Sequence, residues 1–577
     1  MKTLLRVYKL AKPYYKYIAV SSVALLLITG INLVTPGIMQ NLIKLLETGG
    51  NANEMMGKVI YLATALVTAY ILQSLFKYFY SYYGHKSAWT FVSDIRCRVY
   101  DHLQTMPVSF YTDKQTGRLM YRIIQDTSKL ESMMSHSVPD LISSGLTFIG
   151  VAVILFLNNW KLALLTCIPL PFLVVGIPIL KRIREQHREA QKKIANLNAL
   201  LQDNIQGIRE IQIFNREEAE SARVKRSSEK HAFAVLKAFW YSSAFYPLIS
   251  FFMSVGNVIV LFFGGFLAIK FDMTISDVTG FFMYLSMFYA PISSFARILE
   301  DLQRGIVGGE RIFEILDTEP EIKDKKNAID IPIGEGLLEF KNVSFGYRKD
   351  IPVLKNISFV AEPKKMYAIV GATGVGKTTL ASLIPRFYDP SGGEILLNGY
   401  NIKDITLKSL RNNISMVLQD VFLFHGTIKD NIVFGNPNAT EEQIINAAKT
   451  ACIYDFIKGL PEGFNTMVGE RGMKLSGGQK QRISIARSVL CKSSVLILEA
   501  ATSAVDTETE TYIKQAIKKI AGSRTMLIIA HRLSTVKAAD EIIVLNEGKV
   551  AETGTHTELY KKGGIYKKLV DLQDIKD

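Results

Sequence analysis

The long apolar runs in roughly the first 300 residues carry almost no acidic side chains. A carboxylate within the membrane is the usual mark of proton or cation coupling, so its absence argues against an ion-driven carrier. The energy source must then lie elsewhere in the chain. Cysteine is also scarce: Cys97, Cys167, Cys452 and Cys491 are the whole complement, and none has the paired spacing of a metal site. Three fall on the predicted cytoplasmic side and Cys167 in an apolar span, so reduced thiols are expected. No small-residue cleavage site follows the first apolar run, and no cleavable signal peptide is expected. The formal charge is +15, yet the basic residues flank apolar runs and lack an aromatic-interleaved reading module. A nucleic-acid partner is therefore disfavoured.

What is present divides the chain in two. At 577 residues it is too long for one core, and its 48% hydrophobic content averages two unlike halves. Six apolar stretches, centred on 18–40, 59–80, 141–157, 162–180, 243–269 and 278–299, are long enough to cross the hydrocarbon of a bilayer. NNWK at 158–161 joins the third and fourth as a hairpin on the outer side. The intervals after the second and fourth stretches are long, polar and helix-compatible; KRIREQHREAQKKIANLNALLQDNIQGIREIQIF reaches Gly207 without Gly-Pro punctuation. The spans are expected to continue as long cytoplasmic helices. Pro36, Pro169, Pro171, Pro178, Pro247 and Pro291 read as tolerated kinks, and Tyr14, Tyr15 and Tyr17 as an interfacial belt. Basic residues crowd the N-terminus (Lys2, Arg6, Lys9, Lys12, Lys16) and the segment after residue 180. The opposite connections carry few, such as Lys161 and Lys270. This asymmetry predicts a multi-pass protein of the cell membrane with a cytoplasmic N-terminus.

The second half holds GATGVGKT at 371–378, which fits G-x-x-x-x-G-K-[ST]. MYAIV before it reads as a buried strand, and TTLASLI after it as the start of a helix. Gly371, Gly374 and Gly376 let backbone N–H groups close around phosphate oxygens. Lys377 reaches the β- and γ-phosphates, Thr378 supplies a ligand for Mg2+, and Thr379 continues the cradle. These residues define a nucleoside-triphosphate site.

KLSGGQKQR at 474–482 resembles the signature of ATP-binding cassette (ABC) proteins, and the resemblance extends along the chain. Tyr347, ending FGY, looks like the aromatic residue that stacks adenine. Gln419 in VLQD looks like the loop that senses Mg2+ and contacts the membrane domain. Glu470 in VGERG resembles the exporter-specific segment, Asp506 ending SAVD the D-loop, and His531 in AHRLST the switch histidine. Singly, each has a plainer reading: Ser476 as a helix cap, Gln419 as a solvated polar residue, His531 as a strand-end histidine, Tyr347 as an edge aromatic. Their joint order and spacing favour the resemblance. Six spans before one such domain resemble an exporter half-transporter related to bacterial multidrug and lipid exporters. The implied fold is an all-α polytopic membrane domain of six transmembrane helices with long cytoplasmic extensions, plus an α/β P-loop ATPase domain. The expected boundaries are 1–315, a linker at 316–335, and 336–577. In this family Ser476, Gly477, Gly478 and Gln479 complete the partner subunit's site, so the resemblance implies a dimer with two composite ATP sites. FYTDKQTGRL at 110–119 and FNREEAE at 214–220 resemble the coupling helices that dock on the nucleotide domains.

LILEAATSAVD at 496–506 departs from the pattern L-I-L-D-E-A-T-S. The Asp that helps hold Mg2+ is here Glu499, one methylene longer and still able to reach the metal. The Glu that polarises the attacking water is here Ala500, which has no base chemistry. Losing a positioned general base typically costs about 10²–10⁴ in rate. Three readings follow: a hydrolysis-deficient variant of a homodimer, the degenerate half of a heterodimer, or a Glu499 that swings into the water-activating role. Intact His531, Gln419 and LSGGQ favour the homodimer, although two neighbouring departures count against a simple one-residue variant. The resemblance implies alternating access driven by ATP with Mg2+, and a lipid, drug or hydrophobic peptide as cargo. Few charges in the spans favour an apolar or amphipathic substrate. A siderophore importer of the same architecture and an ATP-binding regulatory subunit are the alternatives. A leader-cleaving peptide exporter is disfavoured, because no peptidase segment is seen before the first span.

Overall fold

In the computed structural model, residues 2–49, 51–112, 116–171, 177–270, 273–348, 350–500, 507–530 and 536–574 are described. They form two compact units, 1–103 with 117–318, and 104–116 with 319–577.

The first unit is helical. The helices used below are α1 (Lys2–Leu10), α2 (Tyr15–Thr48), α3 (Ala52–Gln104), α4 (Thr127–Ser132), α5 (Val138–Asn158), α6 (Trp160–Thr166), α7 (Ile177–Gln206), α8 (Glu217–Ile269) and α9 (Ile275–Leu316). At 53 residues each, α3 and α8 are about 80 Å long, far more than a bilayer requires. The long intervals of the sequence are thus helical extensions, and α7 stops at Gln206, one residue before the predicted break at Gly207. Along α3, burial begins only at Gly84. It then follows helical spacing through Ser87, Ala88, Phe91, Val92, Ile95, Val99 and Leu103. The more apolar N-terminal part of α3 presents its side chains outward, as a lipid-facing surface does.

Four helices among the described residues are long and apolar enough to cross a membrane: Lys12–Thr48, Ala52–Gln104, Thr116–Asn158 and Glu217–Ile269. They coincide with the first, second, third and fifth expected spans. Among the described residues the count of six is therefore not confirmed. The expected fourth span contains only the short α6 before a turn, and residues 172–176 lie outside the described residues. The expected sixth lies within α9, which is not among the four. At the predicted hairpin Asn159 is the cap, its side chain accepting from Leu162 N–H at 3.0 Å. Pro36, Pro247 and Pro291 lie inside continuous helices, so none of the three ends its helix.

The unit closes around Val151, Leu155, Leu162, Val260, Phe281 and Leu285. Polar ends of buried aromatics are satisfied by backbone: Tyr289 donates to Thr166 O at 2.7 Å and Tyr284 to Leu33 O at 2.8 Å. α1 is tied to the end of α9, where the Arg6 guanidinium grips both carboxylate oxygens of Asp317 and stacks over Phe313 with 4.1 Å to the ring centroid. All four cysteines are free.

The second unit is α/β. Strands β1 (Leu338–Phe345), β2 (Leu354–Ala361), β3 (Met366–Val370), β4 (Gly392–Leu397), β5 (Tyr400–Asn401), β6 (Ile414–Val417), β7 (Val495–Ala500), β8 (Thr525–Ala530), β9 (Glu541–Asn546) and β10 (Lys549–Gly554) build two sheets. A four-stranded sheet has the order β2-β1-β4-β5, and a six-stranded sheet the order β10-β9-β3-β8-β7-β6. The strands that matter, β3, β6, β7, β8 and β9, are all mutually parallel. Strand alternation splits the core in two. Met366, Ala368, Val370, Leu496, Leu498, Met526 and Ile528 join one cluster; Tyr367, Ile369, Val495, Ile497, Leu527 and Ile529 join the other. With both faces covered, these strands read as the near-continuous apolar runs MYAIV and VLIL. Residues 104–116, though distant in sequence, pack with this unit: Ser109 Oγ donates to Glu321 at 3.5 Å, and Thr112 hydrogen-bonds Tyr388.

Candidate nucleotide site

Parallel strands present their carboxyl ends along one edge, and open α/β sheets bind ligands there. The loop 371–378 leaves β3, Gln419 follows β6, and position 500 ends β7 in register with Ala530 at the end of β8. His531 is the next residue. His531 and Asp506 lie outside the described residues, and at position 500 the backbone alone is described.

The loop's glycines are dictated by geometry. Gly371, at φ +154°, leaves no room for a Cβ, which would stand 2.4 Å from Leu545 O. Gly376, at φ +106°, is the N-cap of α10 (Lys377–Leu383), and a Cβ there would press on Leu354 at 2.7 Å. Gly374 adds a third left-handed residue at φ +83°, facing open space. Lys377 is 6% exposed, and its ammonium folds back to donate to Gly371 O at 2.8 Å and Ala372 O at 2.9 Å. No ion pair reaches it among the described residues, and burial pulls its pKa below the usual lysine range. A buried cation satisfied only by carbonyls is complementary to a polyphosphate.

Thr378 Oγ1 donates a short hydrogen bond to Glu499 Oε1, and Glu499 is itself buried. A hydroxyl and a carboxylate in contact are the hard oxygen donors that suit Mg2+, so the donor set fits that ion. Gln419 is exposed in the loop after β6. Tyr347, 56% exposed, keeps its hydroxyl 3.2 Å from Thr379 Oγ1, while its ring stands edge-on to Phe345 at 5.1 Å and Tyr388 at 5.2 Å. The structure thus brings together Tyr347, Thr379, Lys377, Thr378 and Glu499. Tyr388 is a member of this aromatic wall that the sequence did not single out; no periodicity marks it in the turn after the loop's helix.

The signature segment forms a separate feature. Ser476 caps α11 (Gly477–Leu490): its Oγ accepts from Gln479 N–H at 3.3 Å, and Gln479 Oε1 accepts from Ser476 N–H at 2.9 Å. Ser476 and Gly477 are exposed, Gly478 is buried, and a Cβ on Gly477 would meet open space. The cap leaves this helix terminus exposed, and an exposed helix N-terminus is electrostatically suited to an anion. No hydrogen bond among the described residues links Ser476 through Gln479 to the loop 371–378.

A P-loop on a parallel sheet, fused behind long apolar helices, defines a membrane-bound NTPase. Residues 18–292 match the ABC transporter transmembrane region, and residues 354–503 match the ABC transporter family. The chain is 36% identical over 571 residues to the ATP-dependent lipid A-core flippase of Syntrophus aciditrophicus, covering 98% of this chain and 94% of that protein. It is 34% identical over 579 residues to the putative multidrug export ATP-binding/permease protein YgaD of Bacillus subtilis, covering 100% of each. The solved structure of a bacterial Atm1-family ABC exporter with ATP bound aligns with a TM-score of 0.84 at 27% identity, over 97% of this chain and 98% of that one. The chain belongs to the ABC transporter family. It is an exporter-type half-transporter, with the membrane region and the ATP-binding domain in one polypeptide.

Proposed function

We propose that two copies of this chain form a homodimeric exporter in which residues 1–315 are the membrane domain, 316–335 the linker and 336–577 the ATPase domain. ATP bound at the loop of one copy would be completed by Ser476, Gly477, Gly478 and Gln479 of the other. The observation that carries this reading is the separation of two half-sites: a phosphate loop with a buried Lys377 that meets only carbonyls among the described residues, and an exposed, capped helix N-terminus with no hydrogen bond to that loop among those residues. Thr378, Glu499 and Gln419 would hold Mg2+, which neutralises charge on the phosphates. Lys377 orients the phosphates and Tyr347 stacks against the base. His531 and Asp506 would complete the composite site.

The carboxyl end of β7 presents an alanine at the position that polarises water in the family, and a methyl group takes no proton. The chain is accordingly arrested after ATP binding. Hydrolysis would reset the cycle, so a dimer of this chain accumulates in its ATP-closed form. Lipids and amphipathic drugs are the substrates that the acid-poor apolar helices and the names of the relatives support. A cell-membrane location with the N-terminus and ATPase domain cytoplasmic follows from the basic-residue asymmetry.

Mass measurement of the purified chain with Mg-ATP, coupled to analysis of the retained nucleotide, tests this. The expected result is two chains per particle holding unhydrolysed ATP. A persistent monomer, or particles that hold ADP, contradicts the proposal.

A further inference from the structure

Outside the nucleotide site, His85, Glu131 and His136 converge in the first unit. His85 sits on α3, Glu131 on α4, and His136 in a π-helical turn, Met133–Ser137, that joins α4 to α5. One potential ligand atom from each lies within 4.8 Å of the others. His85 Nδ1 is 2.9 Å from Glu131 Oε1, and the two imidazoles stand edge to face with centroids 4.9 Å apart.

The π turn brings these groups together. Residues five apart on a regular α-helix are separated by about 140° around the axis, which would send Glu131 and His136 to different faces. The turn is wider here: Val138 N–H bonds Met133 O, five residues back, and His136 swings toward Glu131. Ser135 stabilises the arrangement. Its hydroxyl bonds the Glu131 carboxylate at 2.8 Å and the Glu131 carbonyl at 2.8 Å, orienting the acid as a supporting group orients a metal ligand. Asp140, one turn beyond His136, accepts from Tyr80 at 3.4 Å and lies next in line on the same side. His85 is half-buried and His136 exposed, so an ion has access.

We propose that His85, Glu131 and His136 bind a divalent ion of the Zn2+ class. Two imidazoles and one carboxylate are a borderline donor set suited to late first-row ions, with a coordination position left open. Hard ions such as Mg2+ and Ca2+ prefer oxygen-only sites. Binding draws His136 inward and replaces the His85–Glu131 hydrogen bond with two metal bonds. The ion then staples α3 to the segment leading into α5.

The test is Zn2+ titration of tag-free, full-length protein in lipid nanodiscs after chelator treatment, with Co2+ absorption as a second probe. One ion per chain is expected. That stoichiometric binding is lost in His136→Ala, whose exposed side chain can be removed without disturbing packing, and in Glu131→Gln. Ser135→Ala, which leaves all three ligands, should weaken binding about 10- to 100-fold. Zn2+ should also raise the melting temperature of the native chain and leave that of His136→Ala unmoved. Absence of Zn2+ binding by the native protein, or unchanged affinity and stoichiometry in a His85→Ala/His136→Ala double variant, overturns the proposal.

Discussion

Lys377 carries most of the electrostatic character of the nucleotide site. Its ammonium is buried against two carbonyls with burial as the force lowering its pKa, and a phosphate would push that pKa back up. Lys377→Ala should weaken ATP binding by about 2–5 kcal/mol, measured by calorimetry, because it removes one partner of a desolvated charge pair. The sign of the pH effect follows. The free site binds its proton less tightly than the ATP-loaded site, so ATP binding takes up protons as the pH rises toward the lowered lysine value, and affinity falls in that direction. Proton uptake, read from binding heats in buffers of different ionisation enthalpy, should vanish in Lys377→Arg, which stays protonated. Uptake that persists there assigns the proton to another group.

At the scale of elements, the strands are fixed by what covers them. Leu498 of β7 is buried between the sheet and its covering helices, and Leu498→Ala should destabilise the nucleotide unit by about 2–5 kcal/mol in denaturant unfolding. Ser476→Ala should cost only about 1 kcal/mol, the ordinary loss of a helix cap, while removing a group from the proposed composite site. A drop in ATP-dependent dimerisation much larger than that stability loss supports the second role; a drop in proportion to it supports capping alone. In the sequence, β3, the loop 371–378, α11's cap and the run LSGGQ were all legible, because each is a local pattern with a local cause. The π turn at Met133–Ser137 was not, since it leaves no mark on helical periodicity, and neither was Tyr388, whose role comes from distant chain packing beside Tyr347.

For the whole molecule, apolar run length predicts six spans, of which four appear as long apolar helices among the described residues. The stretch 162–180 reads as one span, yet α6 ends at Thr166 and the chain turns through Cys167 to Pro169. Hydropathy reports length and composition, whereas Pro169 and Pro171 each lack the backbone donor of a regular helical turn. Composition did separate a helical first part from an α/β second part. It could not place 104–116 with the second unit, because that depends on tertiary packing at Ser109 and Thr112. On the proposed reading, turnover by the whole chain rests on one position at the end of β7.

Mg2+-dependent ATPase activity of the purified chain in lipid, with Ala500 as it stands and with Ala500→Glu, tests that dependence with no second subunit present. A rise of about 10²–10⁴-fold on restoring the carboxylate is the predicted result, with the homodimer supplying everything else. Equal, negligible turnover by both proteins while ATP still binds would contradict it and require a different partner chain to complete a working site.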